Sequence, residues 1–212
     1  MHILLTDVLT CPRCGPAFGL ILLADRIVER RVRDGALGCS NCRERYLIRD
    51  GIPMFADSPA APDPMPAADA EAALRAAALL GVTQGPAWIL VAGPATGLAG
   101  GIADVLHDIE VIAAVRAARA DVAGTGPSRV NTIQVADRLP LASHRMAGVL
   151  LGGAAAGTLL EEAARVLAPL GRLVLEGAPP DAEARIEAAG LRVLVRDDDT
   201  MIAIDRRVGR RT

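Results

Sequence analysis

The sequence predicts an α/β fold: a mostly parallel sheet with an antiparallel terminal hairpin, preceded by a small β-rich ribbon. Three observations carry this reading. From residue 87 onward, strand-length apolar runs alternate with helix-forming stretches, the pattern of a parallel sheet with helical crossovers. The last two runs, Leu191–Arg196 and residues 201–205, flank Asp197–Thr200 as a hairpin. Four cysteines in two C-x-x-C pairs all lie before residue 43, so the N-terminal segment is organised differently from the rest.

The chain has 212 residues, of which 51% are hydrophobic and only 2% aromatic, so its core must be Ala, Val, Leu and Ile. Its 23 basic residues, all arginine, are balanced by 25 acidic ones for a net charge of -2. That balance gives no global footprint for nucleic acid. The apolar runs are too short to span a bilayer. The apolar opening carries no basic segment ahead of it and runs straight into Cys11. The expectation is a soluble cytoplasmic protein, and in a reducing compartment paired cysteines are metal ligands more often than disulfides.

Composition breaks near residue 56. Residues 1–55 contain all four cysteines and both phenylalanines. Residues 56–67 are rich in Pro and Ala and read as an extended linker, because proline denies both helix and sheet hydrogen bonds. Residues 68–212 form the α/β region, ending in a basic tail over residues 206–211. Within that region a helix is expected at 68–80, stopped by Gly81. Strands follow at Ala87–Ala92, 110–115, 130–135, 146–151 and 172–176. A Gly-rich turn at 93–101 leads into a helix at 98–107. Further helices are expected at 116–122, 158–167 and 181–189, with a turn at 124–128 and a stop at Pro169-Leu170-Gly171.

The cysteine pattern is CPRC, about two dozen residues, then CSNC. Each C-x-x-C turn lets two thiolates converge, and Gly15 stands where such a knuckle needs positive φ. Cys11, Cys14, Cys39 and Cys42 together make a tetrahedral Cys₄ zinc site, closed and therefore structural. A redox pair, a disulfide framework and an iron–sulfur centre are the competing uses of the same residues. A region of some 55 residues has little core, so metal binding would supply much of its folding free energy.

The stretch CSNCRERYLIRDGIPMF (39–55), with the opening LLTDVLTCPRCGPAFGL, resembles the small zinc-ribbon proteins that bind and activate S-adenosylmethionine-dependent methyltransferases. The family's Y-P-I-x-D-G-I-P ending appears here as Tyr46 to Pro53 and departs only at Leu47. The resemblance implies that this edge contacts a partner. Tyr46 and Ile48 should face one side of a strand, with Asp50-Gly51 as a turn.

Residues 87–205 resemble a class I S-adenosylmethionine-dependent methyltransferase, a Rossmann-like fold. ILVAGPATG (89–97), RLPL (138–141) and above all LEEAARVLAPLGRLVLE (160–176) carry the likeness. The resemblance implies cofactor contacts at Gly93, Ala95, Gly97 and Asp137. The family's acid–x–Gly–x–Gly–x–Gly turn is altered: Val91 stands at the acid, Ala95 at the middle glycine, and Pro94 stiffens the turn. Strand two ends at Arg116 with no acid before Asp121, and Val135 stands where the adenine contact is expected. Unpaired ligand groups would cost about 1–3 kcal/mol each. The sequence thus argues against S-adenosylmethionine binding.

Two functions follow. One is a non-catalytic pseudo-methyltransferase with a cis-fused ribbon, acting as subunit, scaffold or stabilising partner of another protein, or as a homo-oligomer. The other is an active methyltransferase with a divergent pocket, acting on RNA, protein or a small molecule. Direct RNA contact by the ribbon arginines (Arg26, Arg30, Arg31, Arg33, Arg43 and Arg45) or by the basic tail is a weaker third, because acidic neighbours dilute the charge. His107 and His144 lack metal-ligand spacing and read as surface or capping residues; Trp88 reads as packing.

Overall fold

The computed structural model describes residues 1–56, 69–117 and 129–206. Most of the expected linker, residues 118–122 of the expected 116–122 helix, the 124–128 turn and nearly all of the basic tail lie outside the described residues.

The N-terminal part opens with a short 3-10 helix, Ile3–Asp7, capped by the His2 ring. An antiparallel sheet follows, built from β1 (Thr10–Cys11), β2 (Gly15–Val28), β3 (Arg31–Cys39), β4 (Arg45–Arg49) and β5 (Ile52–Pro53), ordered β1-β2-β3-β4-β5. Asp50 and Gly51 turn between β4 and β5 with φ of 49° and 82°, as the Asp-Gly pair predicts.

A second sheet has seven strands: β6 (Ala87–Ala92), β7 (Ile109–Val115), β8 (Val130–Gln134), β9 (Met146–Gly152), β10 (Leu167–Glu176), β11 (Leu191–Arg196) and β12 (Thr200–Asp205). Their spatial order is β11-β12-β10-β9-β6-β7-β8, parallel from β10 to β8, with β12 antiparallel to both β10 and β11. Alternation along the buried strands sorts side chains to two faces. Ile89, Val91, Val111 and Leu150 face α1 (Ala70–Leu80) and α2 (Ala99–Val105). Leu90, Ile112, Ile133 and Val149 face the other way.

That second face is covered by two different things. Beside β9 and β10 it receives α4 (Leu160–Val166) and α5 (Ala182–Ala188). Toward β8 the connection from β8 to β9 contains no helix, and Met1, Leu5, Val8 and Leu9 of the N-terminal part join the same hydrophobic cluster. Backbone bonds fix this docking. Leu9 bridges Leu141, with Thr10 N–H donating to the Pro140 carbonyl and Ala142 N–H to the Val8 carbonyl, each at 2.9 Å. Past β5, Met54 bridges Gln134 in parallel and Phe55 N–H donates to the Gln134 carbonyl at 2.9 Å. The small sheet thereby covers the β8 edge of the large one. His2 N–H also donates to buried Asn131 at 2.7 Å, and Asn131 in turn donates to Glu110 at 2.9 Å.

Three local expectations change. The turn after β6 is a 3-10 helix, Gly93–Leu98, because Pro94 favours a helical first turn. A short helix, α3 (Ala154–Thr158), occupies the stretch after β9 that the sequence left without structure; its alanines have high helix propensity once Gly153 has turned the chain at φ 54°. As a result α4 begins at Leu160, not Thr158. β10 starts at Leu167, before Pro169, and its register shifts between Leu167 and Arg172 while Leu170 takes φ 66° at the surface.

Leu5 has no solvent exposure and packs in the shared cluster, so Leu5→Ala should cost about 2–5 kcal/mol. Because the cluster is shared, fluorescence of Trp88, the sole tryptophan, and release of bound metal should report one coincident urea transition. Separate transitions would show that the two sheets unfold independently.

Candidate metal centre and cofactor crevice

Two knuckles bring the cysteines together. Cys11 ends β1 and Cys39 ends β3, while Cys14 and Cys42 lie in the turns that follow. Gly15 takes φ 93° in the first knuckle; Arg43 takes φ 61° in the second, where its N–H donates to the Cys39 carbonyl at 2.9 Å. The four sulfurs lie within 4.8 Å of one another, with Cys11–Cys42 at 3.7 Å and Cys14–Cys39 at 3.8 Å. A tetrahedral ion with Zn–S near 2.3 Å requires sulfurs roughly 3.8 Å apart, so the geometry fits. These separations are far too long for disulfides, and all four cysteines are free.

The surroundings act unequally on the thiols: against the Glu44 backbone N–H, which favours the thiolate, burial and the neighbouring cysteines push Cys42 up to about 12. Backbone N–H groups of Cys42 and Asn41 bring the Cys39 thiol down to about 7. Cys14 N–H lies 3.4 Å from the Cys11 sulfur, and the Asn41 amide donates to Cys14 at 3.3 Å. The Tyr46 hydroxyl sits 3.4 Å from the Cys11 sulfur, and its ring packs on Phe55 at 5.1 Å. Burial, then the contact with Cys11, pushes the Tyr46 phenol above its ordinary value, so it remains a donor toward the sulfur. The Tyr46–Pro53 segment thus joins the metal centre to the seam with β8, a link that residue spacing alone does not reveal.

The second candidate region lies at the carboxyl ends of β6 and β9, where the strand order reverses and open α/β sheets place ligands. Here the described residues take up much of that space. The turn Gly93–Leu98 lies against Gly152 and Gly153 of the loop after β9. A Cβ on Gly93 would overlap the Gly152 carbonyl and come within 3.0 Å of the Ala155 methyl; one on Gly153 would lie 3.3 Å from the Pro94 ring. Ala95 is buried, and buried Thr96 turns its hydroxyl back onto the Gly93 carbonyl at 2.8 Å. Among the described residues, a cavity lined by Gly93, Ala114, Arg116, Val135, Ala155 and Leu159 has a volume of about 10 Å³, room for one water.

Of the residues expected to contact cofactor, Gly93 lines this remnant, and Ala95 and Gly97 belong to the packed turn. Asp137 is largely exposed and lies outside the remnant, 3.9 Å from Arg116. It borders a separate cleft of about 390 Å³ between the first knuckle and α4. That cleft's main charges are already paired, Glu162 with Arg165 at 2.8 Å and Glu161 with Arg185 at 2.7 Å. Among the described residues the crevice offers S-adenosylmethionine little open volume. His107 and His144 are both at the surface, His144 with its ring beside the Leu167 carbonyl at 3.1 Å.

The strand order, the terminal antiparallel pair and the cysteine cluster define a methyltransferase-like α/β fold with a separate antiparallel N-terminal sheet that carries a candidate metal site. Solved structures share the fold. A chain of the complex between the Haloferax volcanii Trm112 methyltransferase activator and a methyltransferase is 16% identical, with 62% of this chain and 87% of that one covered, at a TM-score of 0.50. The [4+2]-cyclase SpnF is 17% identical, with 59% of this chain and 58% of the cyclase covered, also at 0.50. A Bacillus halodurans protein described as a methyltransferase is 21% identical, with 60% and 70% covered and a TM-score of 0.46. No family model matches the sequence, and no curated protein matches it. A cyclase among these neighbours shows that the fold alone assigns no reaction. No described helix is long and apolar enough to cross a membrane.

Two outcomes are expected. Gly93→Ala forces a side chain at φ 68° into the Gly152 backbone and should destabilise the protein by about 2 kcal/mol or more in urea titration. Tyr46→Phe removes the hydroxyl beside Cys11 and should weaken metal affinity by roughly tenfold in chelator competition.

Proposed function

We propose that this chain is a non-catalytic, zinc-binding pseudo-methyltransferase with an activator-like ribbon fused in cis, working as a subunit or stabilising partner of another protein. The closed crevice carries this reading. A cofactor of this size needs a pocket of roughly 300 Å³ or more, against about 10 Å³ here. Opening it would mean separating Gly93 from Gly152 and displacing the Pro94 ring from Gly153, contacts that belong to the core packing of β6 against β9.

Chemistry points the same way. Where a ribose-binding acid is expected, the chain presents Arg116, and at the adenine position it presents buried Val135. Two or three unpaired ligand groups at about 1–3 kcal/mol each amount to several orders of magnitude in affinity.

The zinc reading rests on the sulfur geometry. Four thiolates leave the ion no open position, so its role is to hold the knuckles and not to activate water. The ribbon edge that the activator resemblance assigns to a partner lies on this chain's own β8, through Met54 and Phe55. This supports use of the ribbon in cis.

Isothermal titration of the zinc-loaded full chain with S-adenosylmethionine tests the central statement. No binding into the millimolar range is expected, and micromolar binding would overturn it. Metal analysis should give one zinc per chain, lost in Cys39→Ser. Each cysteine binds zinc only as its thiolate, so protons compete with the ion for the four sulfurs. Zinc should therefore be retained at pH 7–8 and released on acidification.

A further inference from the structure

Among the described residues, the edges of β8, β11 and β2 differ in how they are covered. The β8 edge has cover, because Met54 and Phe55 pair there. The β11 edge is protected by charge: Arg192 and Arg196 sit on a six-residue strand whose register shifts between Val193 and Val195. Like charges and irregularity are the usual defences of an exposed edge. The third edge, on β2, has neither over most of its length.

β1 pairs with β2 only through Gly15 and Gly19. Beyond Gly19, among the described residues, no strand pairs with the outward side of β2, and no backbone hydrogen bond from residues 20–28 reaches outside the β2–β3 ladder. The stretch reads LILLADRIV, with no proline and only Asp25 and Arg26 charged. Arg26 is already bound to Asp34 at 2.7 Å. Five exposed large apolar side chains lie on β2: Phe18, Ile21, Leu23, Ile27 and Val28. Ile21 at 57% and Leu23 at 47% exposure share one face with Leu47, over a floor of Gly38 and Ala36.

We infer that the β2 edge over residues 20–24 pairs antiparallel with the same edge of a second copy, joining two chains about a two-fold axis at Leu22. The segment is self-complementary in that register. Leu22 faces itself, Ile21 lies beside Leu23 of the other copy, and Leu20 beside Ala24, so no charge is opposed; Leu20 and Leu22 turn to the chain's own core, and Ile21 and Leu23 are the large exposed side chains that meet. The pairing has natural limits: β1 takes over the edge at Gly19, and the bulge after Ala24 bends β2 away. An isologous pairing of this kind closes on itself and leaves no third copy an edge to add to. Backbone bonds would supply affinity, and the Ile21–Leu23 contacts across the axis specificity. The inference does not depend on whether the crevice binds cofactor.

Sedimentation equilibrium of the zinc-loaded full chain tests it. A concentration-dependent monomer–dimer equilibrium is expected at micromolar protein. Ile21→Lys with Leu23→Lys places like charges across the axis and should weaken the dimer by roughly tenfold or more. Ile21→Lys with Leu23→Glu places opposite charges there and should restore it. Both positions are exposed, so zinc content and the urea midpoint should stay near wild type in each variant. A wild-type chain that remains monomeric overturns the inference, as does a double-lysine variant that dimerises as wild type does. If the two variants weaken the dimer equally, the Ile21–Leu23 register is wrong.

Discussion

The face of the large sheet formed by Leu90, Ile112, Ile133 and Val149 has to be taken out of water, and the chain between β8 and β9 supplies no helix to do it. Leu5, Val8 and Leu9 do so instead, held by the Leu9–Leu141 bridge on one side and by the Phe55 bond to Gln134 on the other. Much else follows from this cover. A segment of about 55 residues would have a marginal core alone, yet here its apolar side chains join a cluster that reaches α5. Each sheet completes the other's burial, which makes the seam an intramolecular interface that neither part can leave without exposing apolar surface.

The cysteine cluster enters at that point. The two knuckles fix the ends of β1 and β3, and β1 leads directly out of the segment paired with residues 140–142. Tyr46 reaches Cys11 with its hydroxyl and packs its ring on Phe55, whose N–H is bonded to β8. The cysteine cluster and the seam are therefore joined by one side-chain contact and one backbone bond. Zinc binding is worth about 10–16 kcal/mol in zinc-finger peptides, and an ion in the cysteine cluster would pass part of such a stabilisation to the docked arrangement through this connection.

What could be read in advance follows the range of the interaction. The strands β6 and β11 were legible to the residue, because apolar runs bounded by Gly, Pro and Asp depend on local chemistry. The cysteine cluster was legible because two C-x-x-C turns admit few geometries. Leu9 meeting Leu141 was not, since nothing local in either segment marks a partner more than a hundred residues away. α3 was missed because Ala154–Ala156 between glycines is equally consistent with loop and helix until packing decides. At the crevice, the missing acids at Val91, Arg116 and Val135 could be read from the sequence, whereas its closure required knowing that Gly93 and Gly152 touch.

That contact reverses the usual meaning of the glycines. In a dinucleotide-type turn, glycine lets the backbone approach a ligand. Here Gly93, Gly152 and Gly153 let two loops of the protein approach each other, and the Pro94 ring takes up the space between them. A Cβ at Gly93 would be excluded as firmly by the protein as it would be by a cofactor, so retention of the glycine is no evidence of ligand binding. The discriminating residues are the ones with something to offer a ligand. Thr96 spends its hydroxyl on the Gly93 carbonyl, Arg116 lies 3.9 Å from Asp137, and Val135 has no polar atom to give. Among the described residues, the glycines of this crevice serve packing between two loops of the protein, and their presence alone does not mark a ligand site.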